Sequence, residues 1–113
     1  MAGIVYWRDT WESALKEAKK EKRPLVLELY METCPHCMRL HRETHADPGV
    51  AAALNTRFIP VRLEGRNHMD LVKQFNVTGA PTTIIFSPEG KELHRIAGFL
   101  PPPEYLKELE KFG

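Results

Sequence analysis

The sequence predicts an α/β fold in which a central mixed β-sheet is flanked by helices on both faces. Two apolar runs, residues 25–31 and 58–64, have the near-continuous hydrophobicity of strands that are covered on both faces. Helical patterns separate these runs, and a β-hairpin signal follows them, with Gly90 in the last position of its turn. Strands that alternate with helices are typical of a sheet packed between helical layers.

The elements of the first half of the chain follow from apolar spacing and from helix breakers. Asp9 or Thr10 can cap a first helix, which Pro24 stops. The apolar residues at helical spacing within it are Trp11, Ala14, Leu15 and Ala18. After the first apolar strand, residues 35–44 predict a helix and residues 48–55 a further short helix.

The second half of the chain completes the alternation. Residues 67–75 predict a helix after the second apolar strand, residues 82–86 and 91–96 form the hairpin, and residues 101–112 predict a final helix that begins with prolines. The apolar positions of these two helices are Met69, Leu71, Val72 and Phe75, then Tyr105, Leu106, Leu109 and Phe112. The predicted order is β-α-β-α-β-α-β-β-α, which includes a strand before the first helix. Residues 1–113 are predicted as one domain, because no repeat or linker divides them.

Composition and charge limit the classes of function. The 113 residues are 42% hydrophobic and 27% charged, as in an ordinary globular protein. The net charge of +1 gives no reason to expect nucleic acid or a membrane surface as a partner. No segment reaches the roughly 18 apolar residues of a membrane helix, and the N-terminus lacks the features of a signal peptide. The sequence as written therefore predicts a cytoplasmic protein, whereas a chain trimmed of a leader would be periplasmic or secreted.

The two cysteines of the chain, Cys34 and Cys37, lie in a CPHC motif between a predicted strand and a predicted helix. A disulfide that closes so small a loop adds little stability, so the pair is expected to carry chemistry. At a helix N-terminus the thiolate of Cys34 would be favoured by unpaired N–H groups and the helix dipole, which lowers its pKa. Cys34 is therefore the predicted attacking sulfur, and Cys37, one turn further on, resolves the mixed disulfide.

The two residues between the cysteines tune this chemistry. Pro35 suits the first helical turn, because it lacks an N–H that would be unpaired there. His36 would stabilise the Cys34 thiolate if it is protonated or donates a hydrogen bond. Stabilising the reduced form makes a disulfide a stronger oxidant, so the pair is predicted to be comparatively oxidising.

Glu28 interrupts the first apolar strand six positions before Cys34. Burial would raise the pKa of its carboxyl group, and a carboxyl beneath Cys37 could then take and return the thiol proton. Two alternatives are that Glu28 points to solvent at a strand end or that it pairs with a lysine.

Several segments together resemble the thioredoxin superfamily over nearly the whole chain. They are LVLELYMETCPHC at 25–37, VRLEG at 61–65, VTGAPTTIIFSPEGK at 77–91 and the glycine of IAGFL at 96–100. The resemblance implies a thioredoxin-like fold and a monomeric thiol–disulfide oxidoreductase that acts on protein substrates. It also implies no diffusible cofactor, because the electrons reside in the cysteines, and a partner reductase or oxidase.

The resemblance further assigns roles to single positions. Glu28 matches the buried acid of the family, and Pro81 matches a cis proline that faces the disulfide. Ala80 would offer its backbone to an extended substrate strand. The substrate-binding residues implied in this way are Pro81, Ala80, Pro35 and Thr33.

Two features separate the chain from thioredoxin itself. Thr33 stands where thioredoxin has an aromatic residue, and Arg62 stands where thioredoxin has a lysine near the acid; Arg62 could pair with Glu28 or be solvated. The CPHC tetrapeptide is similar to that of the DsbA type of disulfide oxidase, although a chain of this length has no room for the helical insertion of those enzymes.

Two other functions fit parts of the same pattern. Cys34, Cys37 and His41 form C-x2-C-x3-H, and His45 continues that helical face, but a structural zinc site wants four ligands and no second cysteine pair exists. We therefore expect no bound metal. The second alternative is a binding module that holds partners on a thioredoxin scaffold without turnover.

Overall fold

The computed structural model describes residues 2–113 and contains four strands between helical layers. The helices are α1 (Trp11–Glu21), α2 (Pro35–Arg39), α3 (Pro48–Arg57), α4 (Met69–Gln74) and α5 (Pro102–Glu110). A π-helical segment (Leu40–His45) continues α2, and a 3-10 turn (Gly65–Asn67) precedes α4. The strands are β1 (Leu25–Tyr30), β2 (Ile59–Glu64), β3 (Thr82–Phe86) and β4 (Glu92–Ala97).

The four strands form one mixed sheet in the order β2-β1-β3-β4. β1 is parallel to β2 and antiparallel to β3, and β3 and β4 form the predicted antiparallel hairpin. The prediction of a mixed sheet between helices is thereby confirmed. Glu28 stands in the middle of β1, opposite Arg62 of β2 on one side and Thr83 of β3 on the other.

Side chains of β1 alternate between two hydrophobic cores, one on each face of the sheet. Leu25, Leu27 and Leu29 pack in the core beneath α1 and α4. Val26 packs in the other core, beneath the π-helical segment, α3 and α5. By the same alternation Glu28 points toward this second face, which is the face that also carries the helix of the cysteine motif.

One sequence-based expectation about the fold is wrong, and a second is right in extent but not in helix type. Among residues 2–113 no strand precedes α1; Arg8 instead forms a single parallel bridge with Val61 of β2. The predicted helix over 35–44 is α-helical only to Arg39 and then widens into the π-helical segment. Met69 begins α4, is 50% exposed and lines a groove.

The ends of α1 lie close to the predicted positions. Thr10 is its N-cap residue in extended conformation, and α1 ends at Glu21, before the predicted stop at Pro24. The chain leaves the helix through Lys22, which has a left-handed backbone with φ of 56°. Within residues 2–113, no helix has both the length and the apolar character needed to cross a membrane.

We predict that Leu27→Ala lowers the free energy of unfolding by about 2–5 kcal/mol, because the substitution opens a cavity beside the central strand. Leu27 is completely buried, whereas Leu93 on β4 is 43% exposed. Leu93→Ala is therefore the matched control and should change the free energy by less than about 0.5 kcal/mol. Urea unfolding of both variants measures the difference, and equal effects would contradict this account of the core.

Candidate functional site

Cys34 and Cys37 occupy the positions that the sequence predicted. Cys34 is the N-cap residue of α2, with an extended backbone, and Pro35 fills the first helical position. The backbone N–H of Cys37 donates to Sγ of Cys34 over 3.2 Å, so one orphan donor of the helix N-terminus points at this sulfur. Both thiols are free; Cys34 is half-buried, and Cys37 is only 1% exposed.

A second loop faces the exposed sulfur. The peptide bond between Ala80 and Pro81 is cis, as the family resemblance implied. The Cys34 thiol donates to the carbonyl oxygen of Ala80 over 3.4 Å. Pro81 is buried, and Ala80 also lines an adjoining groove with a volume of about 270 Å³. The predicted attacking sulfur, Cys34, and this loop therefore form one surface.

The remaining predicted substrate contacts lie at the rim of that surface. Thr33 and Pro35 are both exposed. The hydroxyl oxygen of Thr33 accepts a hydrogen bond from Nη2 of Arg66 over 3.1 Å. Met31 and Met69 line the groove. Their flexible thioethers adapt to varied partner surfaces.

The two sulfurs have different environments. Burial raises the pKa of the Cys37 thiol to about 12, and the hydrogen bond with Cys34 and the negative charges of Cys34 and Glu28 act in the same direction. Cys37 is therefore a thiol at neutral pH. It needs a proton acceptor before it can attack a disulfide, since the thiolate is the nucleophile.

Glu28 is completely buried and lies between two basic side chains. Its Oε1 is 3.3 Å from Nε of Arg62 and 3.1 Å from Nε2 of His45. Arg62 also stacks over the ring of Tyr30, 3.8 Å from its centroid. The solvent-facing and lysine-paired alternatives for Glu28 are both wrong.

His36 does not make the hydrogen bond that the sequence left open. Its side chain is exposed on the first turn of α2, and within residues 2–113 no hydrogen bond joins its ring to Sγ of Cys34. An influence of His36 on Cys34 must act through charge alone. That influence stays a prediction.

His41 and His45 face each other rather than the cysteines. Their Nδ1 atoms are 3.1 Å apart, and His45 is buried against Glu28. In the described part of the chain, no group of three or more His, Cys, Asp and Glu side chains is placed to hold a metal ion. Sequence reasoning considered His45 only as a metal ligand and missed it as a partner of Glu28, because the π-helical turn that carries it inward has no sequence signature.

Comparisons with known proteins point to one family. A family model described as a thioredoxin-like domain matches residues 11–113. The chain is 32% identical over 98 residues to the thiol:disulfide interchange protein DsbD of Yersinia pestis strain Pestoides F. That match covers 82% of this chain but only 16% of the length of the DsbD protein.

Two solved structures share the fold. A thioredoxin from Thermus thermophilus superposes with a TM-score of 0.85 at 28% identity, covering 95% of this chain and 85% of its own. The C-terminal domain of DsbD from Neisseria meningitidis, in its reduced form, has a TM-score of 0.75 at 23% identity, covering 90% and 93% of the two chains. The latter likeness concerns the fold alone.

We predict that iodoacetamide near neutral pH alkylates Cys34 of the folded, reduced protein and leaves Cys37 unmodified. Burial excludes the reagent from Cys37, and a pKa raised to about 12 keeps this thiol protonated at every pH well below that value. Mass spectrometry of the tryptic peptides measures the labelling of each cysteine. In urea both cysteines should react, and equal labelling in the folded protein would contradict the difference between the two sulfurs.

Proposed function

Since the chain belongs to the thioredoxin-like domain family, we propose that it is a protein thiol–disulfide oxidoreductase whose Cys34–Cys37 pair exchanges with disulfides of protein substrates. The observation that carries this proposal is the placement of the two sulfurs. One lies half-buried at a helix start against the loop of the cis proline, and the other lies buried one turn behind it. The name of the DsbD relatives, thiol:disulfide interchange protein, describes the same class of reaction.

The reaction uses the two sulfurs in sequence. The Cys34 thiolate attacks a substrate disulfide, forms a mixed disulfide and releases one substrate sulfur as a thiolate. Cys37 then loses its proton and attacks Sγ of Cys34, so that the bond from Cys34 to the substrate breaks and the substrate leaves reduced. Run in reverse, the same steps oxidise a substrate dithiol. In both directions Glu28 is the proposed acceptor and donor of the Cys37 proton, because its negative charge acts on that thiol.

The loop at Ala80 and Pro81 is the proposed substrate platform, with Thr33 and Pro35 at its rim. In the reduced protein the carbonyl oxygen of Ala80 accepts the Cys34 thiol hydrogen. That hydrogen is absent once Cys34 is in a mixed disulfide, so the carbonyl becomes free to pair with the backbone of a bound substrate. Main-chain pairing of this kind gives affinity without demanding one side-chain sequence.

The remaining parts of the proposal concern the setting of the reaction. Residues 1–113 act as one monomeric domain without a diffusible cofactor, and turnover requires a reductase or oxidase that renews the cysteine pair. A comparatively oxidising pair belongs in a periplasmic or secreted setting, where disulfides persist, rather than in a reducing cytoplasm.

We expect Cys37→Ser to accumulate mixed disulfides with substrate proteins, because Cys34 can still attack but nothing resolves the product. Acid-quenched samples separated on non-reducing gels measure the trapped species. Cys34→Ser is the matched control and should trap none. Equal capture of clients by a variant that lacks both cysteines would instead favour the binding-module alternative.

We expect the reduction potential of the Cys34–Cys37 couple to lie nearer the roughly −120 mV of DsbA than the roughly −270 mV of thioredoxin. Equilibration with glutathione buffers measures it. His36→Gln should make the couple more reducing, because it removes the charge that favours the Cys34 thiolate, whereas His94→Gln on β4 should not. A potential near that of thioredoxin, or equal shifts in both variants, would contradict the role of His36.

A further inference from the structure

Two buried polar groups and one exposed histidine form a row that leads away from the cysteine pair. Glu28 is at the inner end, His45 follows it, and His41 is at the outer end. Oε1 of Glu28 is 3.1 Å from Nε2 of His45, and Nδ1 of His45 is 3.1 Å from Nδ1 of His41. Each imidazole thus has one nitrogen facing its inner neighbour, and both separations are within hydrogen-bonding distance.

The outer end of the row opens into a cavity on a different side from the substrate platform. The cavity has a volume of about 320 Å³ and includes both histidines in its lining. Its other described lining residues are apolar or glycine, namely Gly3, Ile4, Val5, Trp7 and Ala46. His41 itself is exposed. A proton that reaches His41 is therefore in contact with solvent without crossing the substrate groove.

We propose that His45 and His41 carry the proton of Cys37 between Glu28 and solvent, through the cavity beside the N-terminal segment. This inference rests on the proposed exchange function, and it assigns two proton-transfer residues to that function. His45 and His41 act through Glu28 and do not touch the substrate.

The steps balance with one proton and no change in oxidation state of the row. Cys37 gives its proton to Glu28 as its sulfur attacks Cys34, and the electron pair of the broken bond leaves on the substrate sulfur. His45 takes the proton at Nε2 and releases another from Nδ1 to Nδ1 of His41. His41 then releases a proton to water from Nε2. The reverse order returns a proton to Cys37 when the pair is reduced.

The surroundings of His45 favour transfer over a fixed charge. The ring is 1% exposed, and although Nε2 is 3.1 Å from Glu28 it has no aligned hydrogen-bond partner. The other groups that face it are the indole of Trp7, at 4.7 Å between ring centroids, and the phenol of Tyr105, at 6.0 Å. Arg62, which also contacts Glu28, supplies the nearby positive charge.

The protonation of His41 suits its place at the solvent end of the row. Burial of its inner edge, together with the positive charges of Arg62 and His45, lowers the pKa of His41 below its usual range. A histidine in that condition is neutral near pH 7 and does not retain a proton that it receives. A zinc site at the same two nitrogens would need at least one further protein ligand, and no third His, Cys, Asp or Glu among residues 2–113 is in place.

The test follows the two sulfurs separately. Reduced protein is mixed in a stopped-flow instrument with excess dithiobisnitrobenzoate, an aromatic disulfide that releases a coloured thiolate. Attack by Cys34 releases the first thiolate in a phase whose rate depends on reagent concentration. Attack by Cys37 on the mixed disulfide releases the second in a phase that is independent of concentration, and this second phase reports the proton transfer.

We expect His41→Ala to slow the second phase relative to the first by about tenfold. This loss of rate is smaller than the loss expected on removing an acid or base that acts directly on the reacting atoms. Free imidazole should restore the rate, because the cavity at this position has room for the ring and the buffer then supplies the missing base. His94→Ala is the matched control, since His94 is a half-buried histidine with a carboxylate neighbour, 2.7 Å from Glu108, far along the chain from the cysteines. This control should show neither effect.

A second variant tests the buried member of the row. His45→Gln keeps a polar side chain but cannot carry a proton, so it should slow the same phase, with thermal unfolding showing that the fold persists. The proton path is overturned if His41→Ala leaves the rate of the second phase unchanged, or if imidazole does not restore a slowed second phase. In either case the exchange function stands as long as both phases of thiolate release are observed. Absence of coloured thiolate release from the unmodified protein overturns the exchange function itself.

Discussion

The structure depends on the burial of one carboxyl group in the middle of its central strand. Glu28 is 0% exposed, and a buried charge whose partner is removed costs about 3–5 kcal/mol. The surrounding elements are arranged to avoid that cost. β2 places Arg62 directly opposite Glu28, and the helix that begins at the cysteine motif supplies His45 from above. The register between β1 and β2 and the course of this helix therefore have the same effect, which is to place a basic side chain beside the buried carboxyl group of Glu28.

The π-helical segment connects the helix of the cysteine motif to His45, the histidine beside Glu28. α2 must begin with Cys34 at its N-terminus, and the same continuous helix must bring His45 against β1 about three turns later. A wider turn changes the angular position of the residues that follow it, and such turns occur frequently at functional sites. Thr44 fixes the end of the segment, because its hydroxyl donates to the carbonyl oxygen of Leu100 over 2.6 Å. The segment thereby also contacts the loop that leads into α5.

The sequence predicted the elements that hold Glu28, Cys34 and Pro81, but it did not predict which side chains surround Glu28. The strand containing Glu28 and the helix start at Cys34 are local features, and each depends on residues within a few positions, whereas the cis bond before Pro81 was implied by the resemblance to a family. His45 could not be assigned in this way, since a 3.6-residue period placed it on the cysteine face, whereas the widened turn directs it inward. Arg62 illustrates a different limit: its partner depends on the register between β1 and β2, which apolar alternation constrains only to a face of the sheet.

The contrast between the two sulfurs explains why a buried acid and a route for its proton belong together. With a pKa raised to about 12 in the reduced protein, Cys37 is a thiol at neutral pH. Burial, the largest cause of that rise, persists when Cys34 is bonded to a substrate, so Cys37 must still lose its proton before it attacks. In the proposed mechanism Glu28 accepts this proton, and it can act again only after it has passed the proton on. Exchange by that mechanism therefore depends on the movement of one proton out of the core as well as on the access of substrate to Cys34.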